Sequence, residues 1–258
     1  MPHARRPLPL LATTALVGAA LGASAPAAGA APVTTKTPCP KTGTTLAKDV
    51  APTARVYRAG TRLKACVKRP GHKRIVRLLD TWSPDTKVAL ADGVAAWTTR
   101  RLDGEGVASD IVSSEDLRTG KTWLRTTHAA ASPATGTPAA DDQVLRIRTS
   151  GKATAWVTAG GVVAIGVRRV DPESSTLYGE GVPGTTPYRD GRVFHLRDAG
   201  AANAKAVAKG LAFSLGGDGD ECGGTTDYQL RVPGWAGQPD LIFVYAREDW
   251  TSTSGVCS

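Results

Sequence analysis

What this 258-residue chain lacks narrows its chemistry first. There is no Cys-x-x-Cys, and the four histidines (His3, His72, His128 and His195) form neither an HxH nor an HExxH pair, which excludes a local zinc motif. No G-x-S-x-G occurs, which removes the nucleophile elbow of the usual α/β serine hydrolases. Thr119-Gly120-Lys121-Thr122 ends like a phosphate-binding P-loop, but the first glycine of that motif would fall on Glu115. Long apolar runs are equally scarce. After residues 8–22 none approaches the roughly 20 residues that a spanning helix needs. Methionine and asparagine are nearly absent, with only Met1 and Asn203.

The apolar run at 8–22 belongs to a leader. His3, Arg5 and Arg6 precede it, no acid lies anywhere in residues 1–30, and Ala28-Gly29-Ala30 supplies small residues for cleavage. The expectation is an exported, soluble protein with no membrane span after cleavage, keeping 228 of the 258 residues. An even number of cysteines in an oxidising compartment favours two disulfides. Proximity pairs Cys39 with Cys66 and Cys222 with Cys257, each closure contributing about 3 kcal/mol. The rival pairing joins the two ends, Cys39 to Cys257.

Glycine (29), proline (17), threonine and valine set the structural vocabulary. Residues 31–54 are rich in proline and threonine without periodicity and read as a flexible lead-in. From Arg55 to the end, residues 55–258 read as a single all-β domain. In Arg62–Lys68, apolar Leu63, Ala65 and Val67 alternate with polar neighbours, and Pro70-Gly71 turns the chain into residues 75–79, which predicts a hairpin. Segments starting at Val56, Val88, Val144 and Pro187 share a plan of strand, glycine turn (Gly60, Gly93, Gly151, Gly191) and second strand. Residues 111–126 and 166–181 echo each other, both setting an acidic residue and a tight turn between two strands. The large separation of the second and third turns demands an insertion, for which residues 129–140 are the candidate. Residues 198–211 are alanine-rich and fit either a short helix, with Asp198 and Gly210 as caps, or a β-connection. Residues 241–245 read as a buried closing strand.

Asp116-Leu117-Arg118-Thr119-Gly120-Lys121 resembles the D-x-x-T-G-[KR] turn between outer strands of TolB-like and WD40-like propeller blades. The stretches ending in Ala-Trp at Trp97 and Trp156 are similar to the inner hairpin of such blades. This resemblance covers residues 55–210 and implies a β-propeller. Repeated hairpins also suit a sandwich, so the fold class is all-β, built from propeller-like or sandwich-like antiparallel sheets.

Candidate functional residues are few. Asp218, Asp220 and Glu221, in a glycine-rich loop, offer hard oxygen ligands for calcium, the one cofactor the sequence suggests; the alternative is a solvated, disulfide-tethered loop. Trp235 lies among turn residues and presents either an exposed ring that stacks on a sugar or peptide ligand, or a cover for the nearby disulfide. His195 alternates within a strand and reads as structural. Residues 55–77 hold nine Lys/Arg and no acid, whereas residues 217–258 hold seven Asp/Glu and two Arg. Either the two ends neutralise each other, or a basic face meets an anionic partner such as a cell-wall polymer or acidic lipid surface. Nucleic acid is disfavoured by export and by the absence of a recognised module. The function expected is a secreted, non-enzymatic binding or envelope-associated module. The rivals are a secreted hydrolase whose residues (Asp218, Asp220 and Glu221 with His195) converge from distant loops, and a purely structural accessory protein.

Overall fold

Period-two runs divided by glycine turns become antiparallel meanders, as a computed structural model of the chain shows. It describes residues 39–50, 53–102, 108–126, 129, 142–169, 176–178, 188–219 and 223–251. The chain divides into two units, Met1–Val33 and Thr34–Ser258, and every described residue lies in the second. The first sheet runs β1 (Thr44–Asp49), β2 (Thr53–Ala59), β3 (Arg62–Lys68), β4 (Ile75–Thr81), and the second β5 (Val88–Ala91), β6 (Val94–Leu102), β7 (Ala108–Asp116), β8 (Lys121–Arg125), each paired in chain order. The third is led by β9 (Val144–Thr149), β10 (Ala153–Thr158) and β11 (Val162–Val167). The chain then passes through β12 (Thr176–Tyr178) before β13 (Tyr188–Asp190) and β14 (Val193–Asp198) complete that sheet. After α1 (Gly200–Gly210), the strands β15 (Ala212–Gly216), β16 (Gly223–Val232) and β17 (Leu241–Thr251) build the fourth, with β12 added beside β17. The fold is thus all-β, with four propeller-like or sandwich-like antiparallel sheets.

Turn chemistry explains the meanders. Gly60, Gly93, Gly151 and Gly191, the four repeated turn residues, all take left-handed φ (63°, 71°, 83° and 56°). At the β5–β6 loop Asp92 does so too (φ 47°), giving the paired positive φ of a type I′ turn that matches strand twist. In the D-x-x-T-G-K turn, Asp116 Oδ1 accepts the backbone N–H of Arg118 (2.9 Å) and Thr119 (3.3 Å). Gly120 closes that turn at φ 76°, and a Cβ there would run into the Arg77 guanidinium.

Three cores lie between consecutive sheets. Alternate residues of β6 point opposite ways: Ala95 and Trp97 pack with Val56, Leu63 and Val67 of the first sheet, while Val94 and Ala96 pack with Ile147 and Trp156 of the third. On β10, Ala155 and Val157 turn to a last core with Phe243 of the fourth sheet and Val207 of α1. Covered on both faces, β10 and β11 are buried at every position, and β11 (VVAIGV) accordingly reads as an unbroken apolar run, while β10 (ATAWVT) also buries Thr154 and Thr158. Polar bonds tie the sheets together: Thr99 Oγ1 donates to Asp80 (2.7 Å), Arg168 to Asp116 (2.9 Å), and Ser150 and Tyr245 share a bond at 2.8 Å.

Three sequence readings need revision. The lead-in to residue 54 contains β1, because pairing with β2 satisfies its backbone where periodicity gave no signal. The second echo at 166–181 is not a hairpin: β11 pairs with β14 whereas β12 pairs with β17. Residues 200–210 are helical, yet Ala199 and Leu211 are the caps, and Asp198 instead accepts the N–H of Gly200 (2.9 Å). The insertion at 130–140 lies outside the described residues, although Ala129 is buried and its carbonyl accepts the Trp156 indole N–H.

Candidate functional site

With cores on one side of the first sheet and on both sides of the second and third, the first sheet keeps a face of its own. Strand alternation decides what stands there. Ala54, Val56, Leu63, Ala65 and Val67 point into the core. The register then sets Lys48 beside Arg55, Lys64 between Tyr57 and Leu78, and Cys66 between Arg55 and Val76, with Arg62 and Lys68 further along the same side of β3. Five cations therefore share this face with Val76 and Leu78, which are 44% and 60% exposed. Both carboxylates of the four strands, Asp49 and Asp80, pair with core-facing Ala54 and Leu63.

The face is braced rather than loose. The Cys39–Cys66 disulfide (Cα–Cα 5.7 Å) ties the segment before β1 onto it, and this bond rules out Cys39–Cys257 in this structure. Arg55 lies over the Tyr57 ring at 4.7 Å and donates to the Gly43 carbonyl (2.7 Å) and Thr45 Oγ1 (2.8 Å). Lys48, Arg62, Lys64 and Lys68 form no ion pair among the described residues. Arg58 and Arg77 are diverted to the other side: Arg58 covers Trp82, and Arg77 reaches the Leu117 carbonyl and Glu115 of the second sheet. The Arg77–Glu115 ion pair thus runs from the basic stretch to the second sheet.

The sequence-flagged residues lie elsewhere. Asp218, exposed two residues beyond β15, accepts the Thr225 hydroxyl (2.8 Å); Asp220, Glu221, Cys222 and Cys257 are outside the described residues. Trp235 is half-buried against the third core, with Arg197 stacked 4.4 Å over its ring. His195 is 4% exposed within β14, in a different sheet from Asp218, and His72 stands exposed in the turn before β4. Trp97 and Trp156, at equivalent repeat positions, are both core residues.

A groove of about 520 Å³ opens between the third and fourth sheets, but its charges are largely satisfied internally. Lys152 pairs with Glu248 and lies 3.5 Å over the Tyr228 ring, Arg168 pairs with Asp116, and Arg247 with Asp227. Burial pushes the Tyr245 hydroxyl up to about 12, against the opposing bond to Ser150. It is an inter-sheet joint.

Sequence reasoning found the basic stretch, and the alternation of Arg62–Lys68 set Arg62, Lys64 and Lys68 opposite the apolar side, but it missed Lys48 and the two aliphatic residues. The signal for the aliphatic pair was present in the apolar residues at 76 and 78. Compared with family models and with curated proteins, the chain matches none.

Proposed function

We propose that this chain is an exported, non-enzymatic module that attaches to an anionic polymer of the cell envelope through the outward face of its first sheet. The observation that carries the reading is Lys48, Arg62, Lys64 and Lys68 standing without counter-charge on one rigid, disulfide-braced surface. Unneutralised like charges repel, and a polyanion relieves that repulsion while releasing its own counterions. The disulfide supports an oxidising destination. The arrangement of leading strands supports the likeness to TolB-like and WD40-like propellers: β1 touches β5, β5 touches β9 and β9 touches β15, as inner strands of successive blades do. On this reading the four sheets are blades.

Co-sedimentation of the full chain with poly(glycerol phosphate) at low salt tests this. Retention should fall about tenfold in Lys64→Glu/Lys68→Glu, and a neutral glucan should retain nothing. Equal retention of the variant, or binding only to vesicles of anionic lipid, overturns the polymer reading.

A further inference from the structure

Where the leading strands of the first three sheets meet, a pocket of about 380 Å³ opens. Its walls come from Leu46 of β1, from Thr86, Lys87 and Val88 at the start of β5, and from β9 with Arg146 and Arg148. All three leading strands are edge strands of their sheets, so the space among them is bounded by backbone that has no further ladder to join. Arg146 and Arg148 are two residues apart on β9 and therefore share a side of it, about 7 Å apart at the backbone. Lys87 lines the same pocket from the start of β5. Among the described residues, no carboxylate lines the pocket.

Arg77, Arg100, Arg118, Arg168, Arg231 and Arg247 each hold a carboxylate, yet none of the pocket's three cations forms an ion pair among the described residues. Burial, with the adjacent Arg146 guanidinium, holds Arg148 below the ordinary arginine value. Two neighbouring guanidiniums without a counter-charge repel each other, and a bound anion relieves that repulsion.

We propose that this pocket binds the phosphate head of a phosphomonoester, with Lys87, Arg146 and Arg148 as its ligands and Leu46 and Val88 against the attached carbon chain. A planar carboxylate is satisfied by a single guanidinium fork. Three cations in one pocket match a tetrahedral group with three terminal oxygens and a double negative charge. The site is separate from the outward face of the first sheet and does not depend on polymer attachment.

Calorimetric titration of the full chain with glycerol 3-phosphate, at constant ionic strength set by chloride, decides the matter. One-to-one binding is expected, weakened about tenfold or more in Arg146→Gln and in Arg148→Gln. Arg148→Lys keeps the charge and loses the fork, so its loss should be smaller, about threefold. Lys64→Glu/Lys68→Glu should bind glycerol 3-phosphate as the unmodified chain does, which keeps failure of this site distinct from failure of the polymer face. Absence of binding above the chloride background overturns the proposal. So does tighter binding of succinate, or unchanged affinity in folded Arg→Gln variants, with folding checked by circular dichroism.

Discussion

Asp116 is 3% exposed and serves two purposes with one carboxylate. Oδ1 shapes the β7–β8 turn, and Oδ2 accepts Arg168 from the third sheet. Burial alone would raise its pKa, but the bonds from Arg168 and Arg118 prevail and hold it below the ordinary carboxylate value. A carboxyl that binds its proton less readily folded than unfolded stabilises fully above its unfolded pKa, near 3.8, and loses that contribution as pH falls through the lower folded value. Asp116→Asn should therefore cost about 3 kcal/mol at pH 7. The gap between variant and unmodified chain should narrow as pH drops below about 4. Urea unfolding of both at pH 7 and pH 3 measures this; a gap that stays constant would mean that packing, not charge, is what the carboxylate supplies. Glu115, next along the chain, moves the opposite way, raised by burial with Arg77 opposing, so the comparison must be made by variant rather than from the acid limb of one curve.

At the scale of elements, what was legible depended on period and on turn chemistry. The β2–β3, β5–β6, β9–β10 and β13–β14 hairpins were visible because each couples a short strand pattern to a glycine that needs positive φ. The Cys39–Cys66 bond followed from sequence proximity. Strand β1 was invisible because TTLAKD has no clean alternation and its irregular register shifts between Thr45 and Ala47. The placement of β12 beside β17 rests on a crossover between sheets, and no local pattern encodes which distant strand a three-residue segment will join. The outward face was half legible: its charges were counted, but only register sorts Lys64 and Lys68 from Arg58 and Arg77. The disulfide spans 27 residues and anchors the approach to β1 on that face. Cys39→Ser/Cys66→Ser should lower unfolding free energy by about 3 kcal/mol in guanidinium titrations. It should also weaken polymer retention, since Cys66 lies between Arg55 and Val76 in the register. Loss of stability with retention intact would show that the brace matters to folding only.

Over the whole molecule, charge is divided by the order in which sheets are covered. The second and third sheets are sandwiched between cores, and Asp110 and Asp116 neutralise their Arg100 and Arg168, while Glu115 takes Arg77 of the first sheet. The first sheet has one core face, and its other side is free of acids. Four of the five cations on that side come from residues 55–77, the basic stretch of a chain whose net charge is +9. Such a face should report itself through salt. If Lys48, Arg62, Lys64 and Lys68 each neutralise one anionic repeat, the logarithm of the affinity for poly(glycerol phosphate) should fall linearly with the logarithm of salt concentration. Its slope should be roughly 3, from about 0.7 per contact. Substituting Lys64 with Gln should reduce the slope by about 0.7, whereas Val76→Ser and Leu78→Ser should change affinity without altering the slope. A slope that does not respond to Lys64 would place the polymer on another surface. One that falls with the aliphatic substitutions would mean that they act by disturbing the register of β3 and β4, which melting curves of the same variants would reveal.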